Sequence, residues 1–101
     1  MIERDIEQHL VKQAKLAGGR AYKWTSPGNS GVPDRIVMLP GGRISFAELK
    51  VPGKKPTPLQ LNQQQFIRNQ GLPVFVIDSK EGVDELIAGM QSREGMAPWL
   101  D

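Results

Sequence analysis

The chain has no cysteine and one histidine, His9, in 101 residues. The first absence excludes disulfides, thiolate zinc sites and a cysteine nucleophile. The second excludes a metal site built mainly from imidazoles. No apolar run approaches the roughly 20 residues that a membrane-spanning helix needs, so no membrane partner is expected. The opening Met-Ile-Glu-Arg-Asp puts acids where a secretion signal carries bases ahead of an apolar stretch, which argues against secretion by that route. Internal repeats, low-complexity tracts and long linkers are also lacking. One domain is expected over residues 1–91, followed by a C-terminal tail at 92–101 without clear period, whose Trp99 either packs back or serves a partner.

What is present is ordinary globular composition, 39% hydrophobic and 24% charged. The net charge is only +2, but it is unevenly spread. Residues 12–55 hold nine Lys/Arg against only Asp34 and Glu48, while both flanks are net acidic. A basic field of this kind fits a polyanion, nucleic acid first; a solvated basic face explains the charge alone equally well.

Hydrophobic spacing predicts a helix over Ile2 to Ala17, with Ile2, Ile6, Leu10, Ala14 and Ala17 on one face and Gly18-Gly19 ending it. Ala21 to Trp24 reads as a short strand. Thr25 to Gly31 is made of turn-formers and reads as a loop. Val32 to Leu39, past Pro33, and Arg43 to Val51 read as two strands of a hairpin turning at Pro40-Gly41-Gly42. Leu59 to Asn69 is a second helix with Leu59, Gln63, Phe66 and Ile67 near one face. The apolar run Leu72 to Ile77 is expected as a strand buried on both faces. Asp78-Ser79 then caps a third helix to about Met90, with Val83, Leu86, Ile87 and Met90 inward. The order is that of an α/β sandwich: a mixed four-stranded sheet flanked by helices, three strands as a meander and the fourth joined by a helical crossover.

The residues that point to chemistry are Asp34, Glu48 and Lys50. Side chains alternate along a strand, so Glu48 and Lys50 share a face with Phe46. A turn at residues 40–42 pairs positions whose numbers sum to about 82. Asp34 then lies opposite Glu48 at the open end of the hairpin. Two carboxylates side by side repel, and burying them is costly. A divalent cation between them resolves the conflict, and oxygen ligands select Mg²⁺ or Mn²⁺. Such a site activates water for attack on phosphorus, and Lys50 would orient that water or stabilise the charged transition state. Solvated charges at an exposed hairpin end are the plainer alternative. The apolar neighbours Phe46, Ala47, Leu49 and Val51 weigh against it, because they mark an interior-type segment.

Several ordered motifs carry a resemblance: Lys23-Trp24-Thr25-Ser26-Pro27-Gly28, Gly31-Val32-Pro33-Asp34-Arg35, Pro40-Gly41-Gly42-Arg43, Phe46-Ala47-Glu48-Leu49-Lys50, Pro52-Gly53-Lys54-Lys55-Pro56 and Leu59-Gln60. Together they resemble the VRR-NUC (virus-type replication-repair nuclease) family of the PD-(D/E)XK nuclease superfamily, over roughly residues 3–88. The resemblance implies a restriction-endonuclease-like αβββαβ core and a metal-dependent, structure-selective DNA endonuclease acting on four-way (Holliday) junctions or other branched DNA in replication and repair. It implies Asp34 and Glu48 as metal ligands, with the Leu49 backbone carbonyl, and Lys50 as the motif lysine. It also implies Gln60 near the site at the start of the second helix. A first-helix glutamate belongs to the pattern. Glu7 is the better motif match, since Glu-X-X-Leu is followed by the glycine pair at a similar distance. Glu3 is the rival, lying within the apolar arc of the helix while Glu7 lies about 20° outside it.

Lys23, Ser26, Arg35, Lys54 and Lys55 are the expected nucleic-acid contacts, Lys54 and Lys55 from a proline-stiffened loop whose charges equally suit solubility. Ser26 to Gly31 could expose backbone amides to a phosphate, or be a plain loop. Tyr22 and Trp24 share a face, where core packing is favoured over base stacking. His9 is expected at a surface or edge without a catalytic role. The resemblance further implies a homodimer, no organic cofactor, and the cytoplasm of a bacterial or phage-infected cell. Two other classes stand beside the enzyme: a non-catalytic nucleic-acid-binding module on a nuclease fold, and an interaction protein docking through Glu81, Asp84 and Glu85 on the third helix.

Overall fold

The computed structural model describes residues 2–92; the tail and Trp99 fall outside them. Helix α1 spans Glu3–Leu16. Its start is held by the Asp5 carboxylate, which accepts the Ile2 N–H at 3.2 Å. It ends because Gly18, at φ +89, takes a conformation that other residues rarely adopt. That turn lets the Gly18 N–H donate to the Lys15 carbonyl and the Gly19 N–H to the Ala14 carbonyl. Ile6, Leu10 and Ala14, one helical turn apart, are fully buried.

Strands β1 (Arg20–Lys23), β2 (Arg35–Leu39) and β3 (Arg43–Leu49) form an antiparallel meander. Helix α2 (Pro58–Asn69) crosses to β4 (Val74–Ile77), which lies parallel to β3, and α3 (Lys80–Gln91) follows. The sheet order is β1-β2-β3-β4. The β2–β3 register pairs Arg35 with Ala47 and Ile36 with Phe46, the alignment that the glycine turn implies. The order αβββαβα and the mixed sheet with helices on both faces match the expected architecture.

Alternation along the strands sorts the core into two layers. On one face, Val37, Ala47, Leu49 and Ile77 pack with Ile6 and Leu10 of α1 and with Val83, Leu86, Ile87 and Met90 of α3. Each large side chain buried there contributes about 1.5–3 kcal/mol. On the other face, Phe46, Val74 and Ile67 of α2 form a smaller cluster, joined at its margin by Trp24, Ile36, Ile44 and Leu72.

Four expectations need correction. The fourth strand is not buried on both faces: β4 is the sheet edge, and Phe75 and Val76 are 37% and 41% exposed. The inward face of α2 is not Leu59 and Phe66, which are exposed, but Gln64 and Ile67. The helix docks by the side that carries Gln60, Gln64 and Ile67, and Gln60 reaches Glu48 from it. Asp34 lies one residue ahead of β2, and Lys50 and Val51 lie past the end of β3. Tyr22 does not pack in the core; it is half exposed, whereas Trp24 stacks at a tilt on Phe46 with ring centroids 5.3 Å apart.

Candidate active site

The ends of β2 and β3 opposite the glycine turn bring Asp34 and Glu48 together. The ladder continues one step beyond β2, where the Trp24 N–H donates to the Asp34 carbonyl at 2.9 Å. The Asp34 side chain is fixed from the other direction: its Oδ2 accepts the Leu49 N–H at 2.8 Å. Glu48 is only 2% exposed. Its Oε2 accepts a hydrogen bond from Gln60 Nε2 at 3.1 Å, whereas its Oε1 is buried with no N–H or O–H donor of the described residues in reach. The Glu48 carboxyl is pushed up from an ordinary 4.5 to about 8, first by burial and then by the charge of Asp34 and a hydrogen bond with it. Lys50 acts in the opposite sense, and Glu3 adds a smaller upward push. At neutral pH the Glu48 carboxyl therefore keeps its proton, or some other positive charge in its place.

Gln60 does two jobs from the first turn of α2. Its backbone N–H donates to the Thr57 hydroxyl at 3.2 Å, and its Oε1 accepts the Thr57 N–H at 2.9 Å. With Oε1 held by the cap, Nε2 is left to point at Glu48. Gly31 lets this helix end approach: at φ +88, an added Cβ would lie 2.8 Å from the Leu59 carbonyl. Gln63 donates to the Ser30 carbonyl at 3.3 Å, tying the loop ahead of Asp34 to the same helix. Lys50 is anchored beside the pair by its backbone N–H, which donates to the Ile77 carbonyl at 2.9 Å.

The structure treats the remaining expected residues unequally. Glu7 is not among the charges that act on Glu48; its Oε2 accepts from Arg35 Nε at 2.9 Å. Glu3, the rival, is exposed, and its charge does reach Glu48. Arg35 faces α1 rather than Asp34, and it spends its donors on Glu7 and on the Ala21 carbonyl. Lys23, Lys54 and Lys55 are exposed; Ser26 is partly buried and accepts from Asn29. Gln64, fully buried with an unpartnered Nε2, was not anticipated. The run Gln60, Gln63, Gln64 at helical spacing was the signal: three glutamines on one helix side call for polar partners inside. His9 sits at the α1–α3 seam, within 2.8 Å of Asp84.

Among the described residues, no group of three or more acidic, histidine or cysteine side chains is gathered tightly enough to enclose an ion. The donor set at hand, two adjoining carboxyl groups of which Glu48 turns a buried Oε1 away from any N–H donor, still fits a hard cation that keeps part of its water shell. Among the same residues, no helix is long and apolar enough to cross a membrane.

No family model matches the chain. Over 79 residues it is 51% identical to a protein of Acyrthosiphon pisum secondary endosymbiont phage 1 named "Putative nuclease p44", with 78% of this chain and 85% of that protein covered. A solved VRR_NUC domain aligns with a TM-score of 0.79 at 37% identity, over 85% of this chain and 94% of that one.

Proposed function

The chain belongs to the VRR-NUC family and is a nuclease, and from that premise we propose that it hydrolyses DNA phosphodiesters with a divalent cation held by Asp34 and Glu48. The observation that carries this reading is the Glu48 carboxyl, 2% exposed and set against the Asp34 carboxyl, with an Oε1 that no N–H or O–H donor of the described residues reaches. Ionised, that oxygen would be left unpaired at a cost of about 1–3 kcal/mol, which a bound cation would offset. The Leu49 carbonyl is a further candidate ligand. Of the two first-helix acids, Glu3 is the one assigned a supporting role, because Glu7 is neutralised by Arg35. A bound Mg²⁺ or Mn²⁺ would supply Lewis-acid stabilisation of the charge that develops on the phosphate oxygens.

The chain's own residues supply the rest. Lys50 orients the attacking water or offsets negative charge in the transition state. Gln60 keeps the Glu48 carboxyl turned toward Asp34. Lys23, Ser26, Lys54 and Lys55 contact phosphates around the scissile one. We read the substrate as branched DNA, four-way junctions included, because no element among the described residues is an evident base reader. The active form is read as a homodimer. The β1/β2 half of the α2 face supports this, because Tyr22 and Met38 stand there 50% and 42% exposed next to Ile36 and Ile44. The setting is the cytoplasm of a bacterial or phage-infected cell, in keeping with the phage relative.

The test is a cleavage panel of single strand, duplex, flap and four-way junction, each with Mg²⁺, Mn²⁺ or chelator. Metal-dependent cutting that peaks on branched DNA and disappears in Asp34→Ala and Glu48→Ala is expected. Cutting that survives in both variants would remove the carboxylates from the mechanism. Binding without cutting under every metal would favour the non-catalytic module.

A further inference from the structure

The basic residues of α1 lie outside the site described so far. Arg4, Gln8, Val11, Lys12 and Lys15 run along one side of the helix at intervals of three and four, and with Glu7 and Arg35 they line an open groove of about 510 Å³. Arg4, Lys12 and Lys15 fall within an arc of roughly 80° on the helix, and all three are exposed. The one acid in the groove, Glu7, is already paired with Arg35. None of the three outer cations joins an ion pair among the described residues. Three positive charges thus face a groove with no free negative partner among the described residues.

The position of the groove says which anion it suits. Asp34 and Arg35 are consecutive, so their side chains leave the backbone on opposite faces of the sheet. Asp34 joins Glu48 on the α2 side, and Arg35 passes under α1 on the other. The Arg4–Glu7–Arg35 end of the groove therefore lies at the same end of the sheet as the carboxyl pair but one layer away, roughly 10 Å, and Lys12 and Lys15 extend it along α1 toward Gly18, which meets Pro40 at the hairpin turn. The two backbones of a duplex are separated across its grooves by about 6–12 Å. A duplex meeting this end of the sheet edge-on presents one strand to Asp34 and Glu48 and the other to α1.

We propose that the α1 groove, through Arg4, Lys12 and Lys15, binds the phosphate backbone of the DNA strand that is not cut. This rests on the nuclease reading and adds a second phosphate track to it. It makes double-stranded character, rather than a base sequence, the feature that α1 detects.

The experiment compares wild type with Arg4→Gln/Lys12→Gln/Lys15→Gln, binding a labelled duplex and a single strand of equal length in chelator across a salt series. Lys54→Gln/Lys55→Gln is measured alongside. All five positions are exposed, and thermal melts verify folding. For the α1 variant, the slope of log affinity against log salt on duplex should flatten by about 2 to 3, one phosphate contact per residue removed. Its single-strand affinity should stay within twofold of wild type, while the loop variant weakens on both substrates. An unchanged duplex slope would overturn the second track and leave the nuclease reading standing. Equal losses on duplex and single strand would overturn the assignment to the uncut strand. Failure of wild type to bind either substrate would overturn the proposed DNA substrate along with the inference.

Discussion

On the α1/α3 side of the sheet, Ile6, Leu10, Val37, Leu49 and Leu86 close into an apolar cluster that runs the length of both helices. On the α2 side the apolar cluster shrinks to Phe46, Ile67 and Val74, and the layer beside it is Glu48, Gln60 and Gln64. Both faces belong to the same strands; β3 sends Ala47 and Leu49 to one and Phe46 and Glu48 to the other. The difference shows how a chain this short can hold a buried carboxyl at all. One face carries most of the folding free energy, and the other is left free to keep groups whose burial opposes folding.

The sharpest way to break this contrast is to mutate both faces and read two quantities. Asp34→Ala or Glu48→Ala should lower metal-dependent cutting by about 10³-fold while the thermal midpoint holds or rises. A matching loss of stability would mean that the carboxyl pair is structural. On the other face, Leu10→Ala should cost about 2–5 kcal/mol out of a total near 5–15, measured by urea unfolding. A cost under about 1 kcal/mol would show that the helix layer is not where stability resides.

The pH response separates the faces further. Because the folded protein holds the Glu48 proton up to about 8 and an ordinary carboxylate releases it near 4.5, folding binds a proton in that window. Stability of the metal-free protein should therefore fall as pH climbs from about 4.5 toward 8. Glu48→Gln should flatten the slope and add on the order of 2 kcal/mol at neutral pH; melts across pH with and without the substitution decide it. Identical profiles would place the Glu48 carboxyl in water. Gln60→Ala, which removes half of a helix cap and the Glu48 hydrogen bond together, should cost about 1 kcal/mol and slow cutting about tenfold. Stability lost with cutting intact would reduce Gln60 to a cap. The smallest effect belongs to the seam between α1 and α3: Asp84→Asn, exposed and opposite His9, should change stability by no more than about 0.5 kcal/mol.

Much of the fold was readable in order along the chain. The α1 stripe of Ile6, Leu10 and Ala14, the glycine stops and the α3 stripe of Val83, Leu86, Ile87 and Met90 are local patterns, and they became the buried faces. The hairpin register was readable for the same reason: a turn of known length and a period of two leave one alignment. Helix α2 was misread because its inward side is glutamine. Periodicity arguments count apolar residues, so they favoured Leu59 and Phe66, which face solvent. The fourth strand looked interior because it is apolar, but no sequence pattern says whether a fifth strand will cover its outer edge.

By itself, the sequence determined the helices, the strands and the meeting of Asp34 with Glu48, because each follows from contacts between residues near one another along the chain or joined by a short turn. Tertiary structure alone decided that Arg35 closes on Glu7 and that Gln60 reaches the Glu48 carboxyl. Those outcomes depend on the height and rotation at which α1 and α2 dock over the sheet. Docking is set by the sum of many packing contacts between distant segments, and no spacing of residues along the chain records it.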